Sequence, residues 1–382
     1  MLVSGETGVS SYAAALVMAT RMIGSRTFVL NDNDHGRAKR WMAAFARGSA
    51  QIPVSRDRCN VLTGDNLFRA AQVRFGMFGR FTTLRADIPA GIMHWTYPVP
   101  LRMAGWVNIY TVHDVVPLDW PDLTPVNPAR LRAILLQIAG NDDHVVTVSE
   151  TSRARFLRHI DIDPARVVNC YQAIAPSGEP RDVSVPVLEP GSYFLFCGLT
   201  EPRKNIVRLI QAHAESGTSR PLVLAGPPTS RYDRQINAVI NAAMASGQVR
   251  RLGYVSDNLM DLLQRNARAL LFPSLGEGFG LPVIESMRHG TPVLTSGSGA
   301  LAEIAGNAAL LIDPTDVAAI ANGIARLDRD PTLRDALTVA GRHRAERFSA
   351  GRFAARLRRV YSNAWAARQG DQRTGTTSAD RG

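Results

Sequence analysis

Residues 269–295 narrow the fold more than any other stretch of this chain. The apolar run Ala269-Leu270-Leu271-Phe272 reads as a buried strand and passes into a loop at Pro273-Ser274. Glu277-Gly-Phe-Gly-Leu-Pro-Val-Ile-Glu285 then makes a glycine-rich turn that opens a helix, with Pro282 in the first helical turn, where a missing N–H costs nothing. That helix, Pro282–Arg288, gives way to Gly290-Thr-Pro and a second apolar strand at Val293–Thr295. Strand, turn, helix and strand in so short a span require a parallel pair joined by a helical crossover.

The alternation extends along the second half. Strands are expected at Tyr193–Phe196 and Leu222–Leu224, and helices at Lys204–Glu215, Tyr232–Ala245, Asn258–Arg265 and Val317–Leu327. The first half repeats the pattern more loosely, with strands at Thr27–Leu30, Val107–Val112, Val145–Val148 and Val167–Asn169. Between them, residues 175–191 are rich in Pro and Gly and lack periodicity, as a linker does. A chain of 382 residues also exceeds what one core usually supports. The expected fold is therefore α/β, two Rossmann-like domains with parallel sheets facing a cleft. We place the amino-terminal domain at 1–180, the carboxyl-terminal domain at 181–360, and a helix end with a disordered polar tail at 361–382.

Three scattered cysteines, Cys59, Cys170 and Cys197, have no metal-ligand spacing and fit a reducing cytoplasm. The start has no signal-peptide pattern, and the apolar segment at Ala13–Thr20 is too short to span a bilayer. The net charge of +11 is concentrated at the ends, +6 in residues 1–100 and +5 in residues 351–382. One stretch mixes arginines with aromatics: Phe68, Arg69, Arg74, Phe75, Phe78, Arg80, Phe81 and Arg85. Three readings stay open for it: a solvated face, a surface for anionic lipid or a lipid-diphosphate acceptor, and nucleic acid. The arginines from Arg342 to Arg359 lie on helical sequence and fit a solvated face.

In the glycine turn, Glu277 hangs from the loop and Glu285 from the first turns of the helix. Between them the N–H groups of Gly278, Phe279, Gly280 and Leu281 face the positive end of the helix dipole. Such a site suits a molecule with hydroxyls at its ends and phosphate in the middle. The stretch from Pro273-Ser through Glu277-Gly-Phe-Gly-Leu-Pro-Val-Ile-Glu285 to Gly290-Thr-Pro-Val293 resembles the E-x7-E signature of glycosyltransferase family 4. Its members are retaining enzymes of the two-domain GT-B fold.

The resemblance implies a retaining, metal-independent hexosyltransferase using a GDP- or UDP-linked sugar, with no separate cofactor. The acceptor would be a saccharide or lipid-linked sugar in surface polysaccharide or glycolipid synthesis. General similarity around Thr111–Leu118 and Tyr171–Ala173 to mannosyltransferase-like relatives favours mannose from GDP-mannose. Arg203 and Lys204, in Glu201-Pro-Arg-Lys-Asn205, match the pair that holds the diphosphate. An anion there would also resolve the placing of two cations at a helix start. Glu277 would contact the sugar hydroxyls and Glu285 the ribose. Gly8 would approach the diphosphate, Tyr254 and Val255 would cradle the base, and His113 would lie near the sugar, with Asp114 beside it. By this likeness the chain works in the cytoplasm, peripherally at the inner membrane face, with no nucleic acid partner. Only Met1-Leu-Val-Ser4 precede the amino-terminal glycine loop, so the family's first strand is vestigial or starts upstream. Two other classes share the fold: nucleotide-sugar epimerases, which need no acceptor, and non-catalytic scaffolds, including an RNA binder.

Overall fold

A computed structural model describes residues 8–33, 51–56, 61–174, 188–227 and 233–379. The first half contributes nine strands among these residues: β1 (Val29–Asn33), β2 (Gln51–Arg56), β3 (Val61–Asp65), β4 (Thr82–Ala86), β5 (Ile92–Trp95), β6 (Leu101–Met103), β7 (Val107–Val112), β8 (His144–Thr147) and β9 (Val167–Asn169). They form one sheet of order β1-β3-β2-β4-β6 and another of order β5-β7-β8-β9. The pairings are parallel except that of β2 with β3. Parallel sheets were expected, and this pair departs because its short connection leaves no room for a crossover. β7 is buried at every residue and forms the centre of its sheet.

β1 and β5 end their respective sheets, and both border a cavity of about 500 Å³ with apolar walls that include Leu16, Trp106 and Trp365. The short first strand expected at Met1–Ser4 lies outside the described residues, as does the domain boundary placed at 180/181.

The second half is one sheet of β10 (Phe194–Cys197), β11 (Leu222–Ala225), β12 (Val249–Gly253), β13 (Ala269–Phe272), β14 (Val293–Ser296) and β15 (Leu310–Ile312). Its order is β12-β11-β10-β13-β14-β15, with every pairing parallel. Chain order reverses between β10 and β13, which is the switch point where doubly wound sheets open a ligand crevice. β10, β11, β13 and β14 are buried throughout. Their unbroken apolar runs are what helices on both faces demand. Phe196 of β10 and Phe272 of β13 stack with centroids 6.0 Å apart beneath this crevice.

Helix Ala350–Ala379 returns from the second half to the first. Phe353 meets Tyr12 edge-on, and Tyr361 Oη bonds His94 Nδ1 at 2.8 Å. The tail expected to be disordered continues this helix as far as Ala379. It holds no proline to break the run.

Candidate functional site

Two loops meet at the switch point, one after β10 and one after β13. After β10 the chain passes Gly198 and makes a 3-10 turn at Pro202–Lys204. Asn205 follows in the left-handed region, with φ 62°, and the helix proper is Ile206–Glu215. The helix expected from Lys204 therefore starts later. Asn205 forces the delay and also stitches the loops, since its Nδ2 donates to Pro273 O at 3.1 Å and Pro314 O at 2.6 Å. Leu275 N donates to Arg203 O at 2.7 Å.

These constraints bring the sequence-selected cations onto the sequence-selected carboxylate. Arg203 Nη1 lies 2.7 Å from Glu277 Oε2, and Lys204 Nζ lies 2.6 Å from Glu277 Oε1. Arg203 Nε also bonds Glu201 Oε2 at 2.7 Å. The two cations are thus balanced by two carboxylates, not left against the helix start. Lys204 Nζ sits 4.7 Å above the Phe272 ring, which holds its stem between the sheet and the cleft. Burial alone would push the Glu277 carboxyl up, but Arg203 and Lys204 override it and hold it at about 2. Burial pulls Lys204 below its ordinary value although Glu277 opposes the shift. An incoming anion finds Arg203 and Lys204 already gathered on one carboxylate, with only partners to exchange.

The glycine turn is shaped by its contacts with the first half. Gly278 O accepts from Ser149 Oγ at 2.7 Å and Ser152 Oγ at 3.1 Å. A Cβ on Gly278 would stand 2.0 Å from His113 O, so this glycine is required by space. His113 is thereby placed against the Glu277 loop from across the cleft. Its Nε2 lies 2.8 Å from Thr96 O, so Nε2–H donates and a neutral ring leaves Nδ1 as the acceptor. Burial lowers the imidazole's pKa, and the Thr96 carbonyl and Asp114 only partly oppose this. Asp114 Oδ1 accepts from Val116 N at 3.1 Å, a local turn bond.

Gly280 caps helix Leu281–His289 with φ 93°. Phe279 turns its side chain into the core, edge-on to Phe348 at 5.4 Å, so only its backbone faces the turn. Glu285 stands apart from the Glu277 ion cluster and accepts from Gln264 Nε2 at 3.2 Å, its carboxyl pushed up by burial. Tyr254 follows β12 and is 51% exposed, while Val255 packs on the core. Gly8 opens helix Gly8–Met22, and the rest of its loop lies outside the described residues.

Sequence reasoning missed several residues that build this region. Glu201 sits in the same quartet as Arg203 and was legible there. Ser149 and Ser152 carried only a helix-cap signal. Glu303 carried none, yet its carboxylate accepts from Glu150 N and Thr151 N, both at 2.8 Å, and from Thr151 Oγ at 2.7 Å. It caps helix Glu150–His159 of the first half from the second.

Residues 183–344 match the family described as glycosyl transferases group 1. That segment, under half of the chain, is similar to this family. Similar proteins include O-antigen chain mannosyltransferase B of Escherichia coli, 32% identical over 63% of this chain and 66% of that protein. O-antigen chain mannosyltransferase RfbU of Salmonella typhimurium is 28% identical over 58% of this chain and 61% of that protein. The chain thus spans just under two thirds of the length of these curated relatives. Among solved structures, sucrose-phosphate synthase from Thermosynechococcus elongatus superposes with a TM-score of 0.66, 20% identity and 94% of both chains covered. WaaG, a glycosyltransferase involved in lipopolysaccharide biosynthesis, gives a TM-score of 0.57 at 18% identity, over 87% of this chain and 99% of that one. At such identities the likeness concerns the fold, and that fold is GT-B.

Proposed function

We propose that this chain is a retaining glycosyltransferase moving a hexose, mannose in the first instance, from a nucleotide-diphosphate sugar to a saccharide or lipid-linked acceptor. The observation that carries the reading is the convergence of Arg203, Lys204 and Glu277 at the switch point, beside the amino end of helix Leu281–His289 and opposite His113. The group 1 match over residues 183–344 and the O-antigen mannosyltransferase relatives support the sugar chemistry and the polysaccharide setting.

In this reading Arg203 forks onto the diphosphate and Lys204 supplies a point charge, together offsetting the charge that develops on the leaving phosphate. The turn's N–H groups, Gly278 to Leu281, and the approach of Gly8 complete the cradle. Glu277, released from its cations, accepts from the donor sugar's hydroxyls. Glu285 accepts from the ribose, and Tyr254 with Val255 lies against the base. His113 orients the sugar from the opposite wall. The leaving phosphate assists deprotonation of the acceptor on the front face, so no side chain forms a covalent bond. The fixed cations serve where other transferases place a metal ion, and turnover is expected to survive chelator. The chain works in the cytoplasm at the inner membrane face.

A thermal-shift screen of GDP, UDP and their sugars identifies the donor. A ligand at 100 times its Kd adds about 2.7 kcal/mol, a shift of several degrees. Incubation with donor and acceptor should then give product of unchanged anomeric configuration by NMR. Clean epimer from donor alone would favour an epimerase of this fold. No shift with any nucleotide would leave a non-catalytic scaffold.

A further inference from the structure

Helix Gly8–Met22 begins at Gly8, and one turn later Tyr12 falls on the same helix face. Tyr12 is buried and touches two further rings. It meets His113 edge-to-face, with centroids 4.9 Å apart and planes at 86°, and Phe353 of the returning helix at 5.9 Å. Perpendicular ring contacts of this kind favour one mutual orientation.

The Tyr12 hydroxyl is held in turn. Thr111 Oγ1 donates to Tyr12 Oη at 2.9 Å, and His94 Nε2 lies 2.8 Å from the same Thr111 oxygen. Burial lowers the His94 imidazole to about 3, so its ring is neutral at neutral pH. Because Thr111 gives its hydrogen to Tyr12, His94 donates to Thr111 from Nε2 and accepts at Nδ1 from Tyr361 Oη, 2.8 Å away. One chain of hydrogen bonds thus runs from the returning helix through β5 and β7 to Tyr12. A core that needed only packing would place apolar side chains here. Buried polar groups are costly when unpaired, and when paired they enforce a single arrangement.

We propose that Tyr12 is a positioning residue for His113: its ring walls the imidazole, and Tyr361, His94 and Thr111 hold that wall in place. Thr96 O takes one ring nitrogen of His113 through a single bond of 2.8 Å, which leaves the imidazole free to tilt about it. Tyr12 removes the tilt, so Nδ1 is offered as acceptor in one orientation. The inference rests on the role proposed above for His113 and adds what fixes that side chain. It also ties the returning helix to the cleft wall through Phe353 and Tyr361.

Histidine-selective nitrogen-15 labelling of the full chain reads the His113 tautomer directly, with its signals assigned by their loss in His113→Gln. The wild type should show Nε2–H alone. Tyr12→Leu should show both tautomers in exchange, and Tyr12→Phe, which keeps the ring, should stay close to the wild type. Transfer from GDP-mannose to methyl α-mannoside gives the second readout. Tyr12→Leu should lower kcat on the order of tenfold, while Thr111→Val and Tyr12→Phe, which cut the chain but keep the ring, lower it about threefold. KM for GDP-mannose should stay within about twofold throughout. A single tautomer in Tyr12→Leu, unchanged kcat in all three variants, or a loss confined to KM would each overturn the proposal. Should Tyr12→Leu fail to fold, kcat of Thr111→Val decides. Absence of transfer by the wild type would count against the transferase reading and leave the tautomer comparison to decide this one.

Discussion

Gly278→Ala should disable the cleft through geometry alone. Gly278 does not occupy the left-handed region, so alanine costs nothing in backbone conformation. The obstacle is His113, whose carbonyl oxygen would be 2.0 Å and carbonyl carbon 2.8 Å from the new methyl group. A carbon needs about 3.3 Å from such an oxygen, so the loop and the opposite wall must part by roughly 1.3 Å. That movement strains the Ser149 and Ser152 hydrogen bonds to Gly278 O, at 2.7 and 3.1 Å. At about 0.5–1.5 kcal/mol each, their loss would disfavour the assembled cleft by about 1–3 kcal/mol. Misplacement of about 1 Å at reacting groups costs on the order of 100-fold in rate. We therefore expect turnover to fall at least about 100-fold. Affinity for the free nucleoside diphosphate should fall less than turnover, because Arg203 and Lys204 keep their places while the Gly278–Leu281 turn and Gly8 shift. Steady-state transfer rates, calorimetric nucleotide titration and amide hydrogen exchange at Ser149–Ser152 measure the three consequences. Turnover within about threefold of wild type, with exchange unchanged, would refute the reasoning.

Glu303→Ala removes the acceptor for Glu150 N, Thr151 N and Thr151 Oγ. A stability loss of about 1–3 kcal/mol is expected in chemical denaturation, with faster exchange at the start of helix Glu150–His159. Lys204→Met keeps an apolar stem over Phe272 but leaves Glu277 to Arg203 alone. Transfer should fall on the order of 100-fold or more while the chain stays folded by circular dichroism. The acid limb of stability carries a signature of Glu277, whose carboxyl is held at about 2 against an ordinary 4.5. Its folded value is depressed, so the stabilisation is complete above about 4.5 and is lost as pH falls towards about 2. The amount is roughly 3 kcal/mol. Urea unfolding at pH 5 and pH 3 should show this slope, and Glu277→Gln should flatten it. Glu285 runs the other way, since its raised value makes protonation in the folded state progressively favourable on acidification.

The carboxyl-terminal half was legible because its strands are buried on both faces and so write themselves as uninterrupted apolar runs. β10, β11, β13 and β14 all fall within a residue or two of their expected positions. β12 was missed because Arg250 and Arg251 break its apolar run, and β15 because it is three residues long. In the first half β7, β8 and β9 were anticipated, while β2, β3, β4, β5 and β6 were not. Thr, Arg and Gly in those segments blur the two-residue alternation. At the site, Arg203, Lys204 and Glu277 were chosen separately on motif grounds, and the fold joins them in one ion network. The pairing itself was not visible, since it depends on the switch point placing β10 beside β13. Glu303 and the Ser149–Ser152 pair act across a boundary that no local pattern encodes.

The long returning helix means that the chain links the halves twice, once between Ile174 and Leu188 and once on the way to Phe353 and Tyr361, which grip Tyr12 and His94. A single tether would leave one lobe free to swivel in any direction. Two attachment points define an axle, and the remaining freedom is rotation about it. Opening for substrate entry and shutting for reaction then become one coordinate. On the proposed function, that would bring sugar and acceptor together in one fixed orientation.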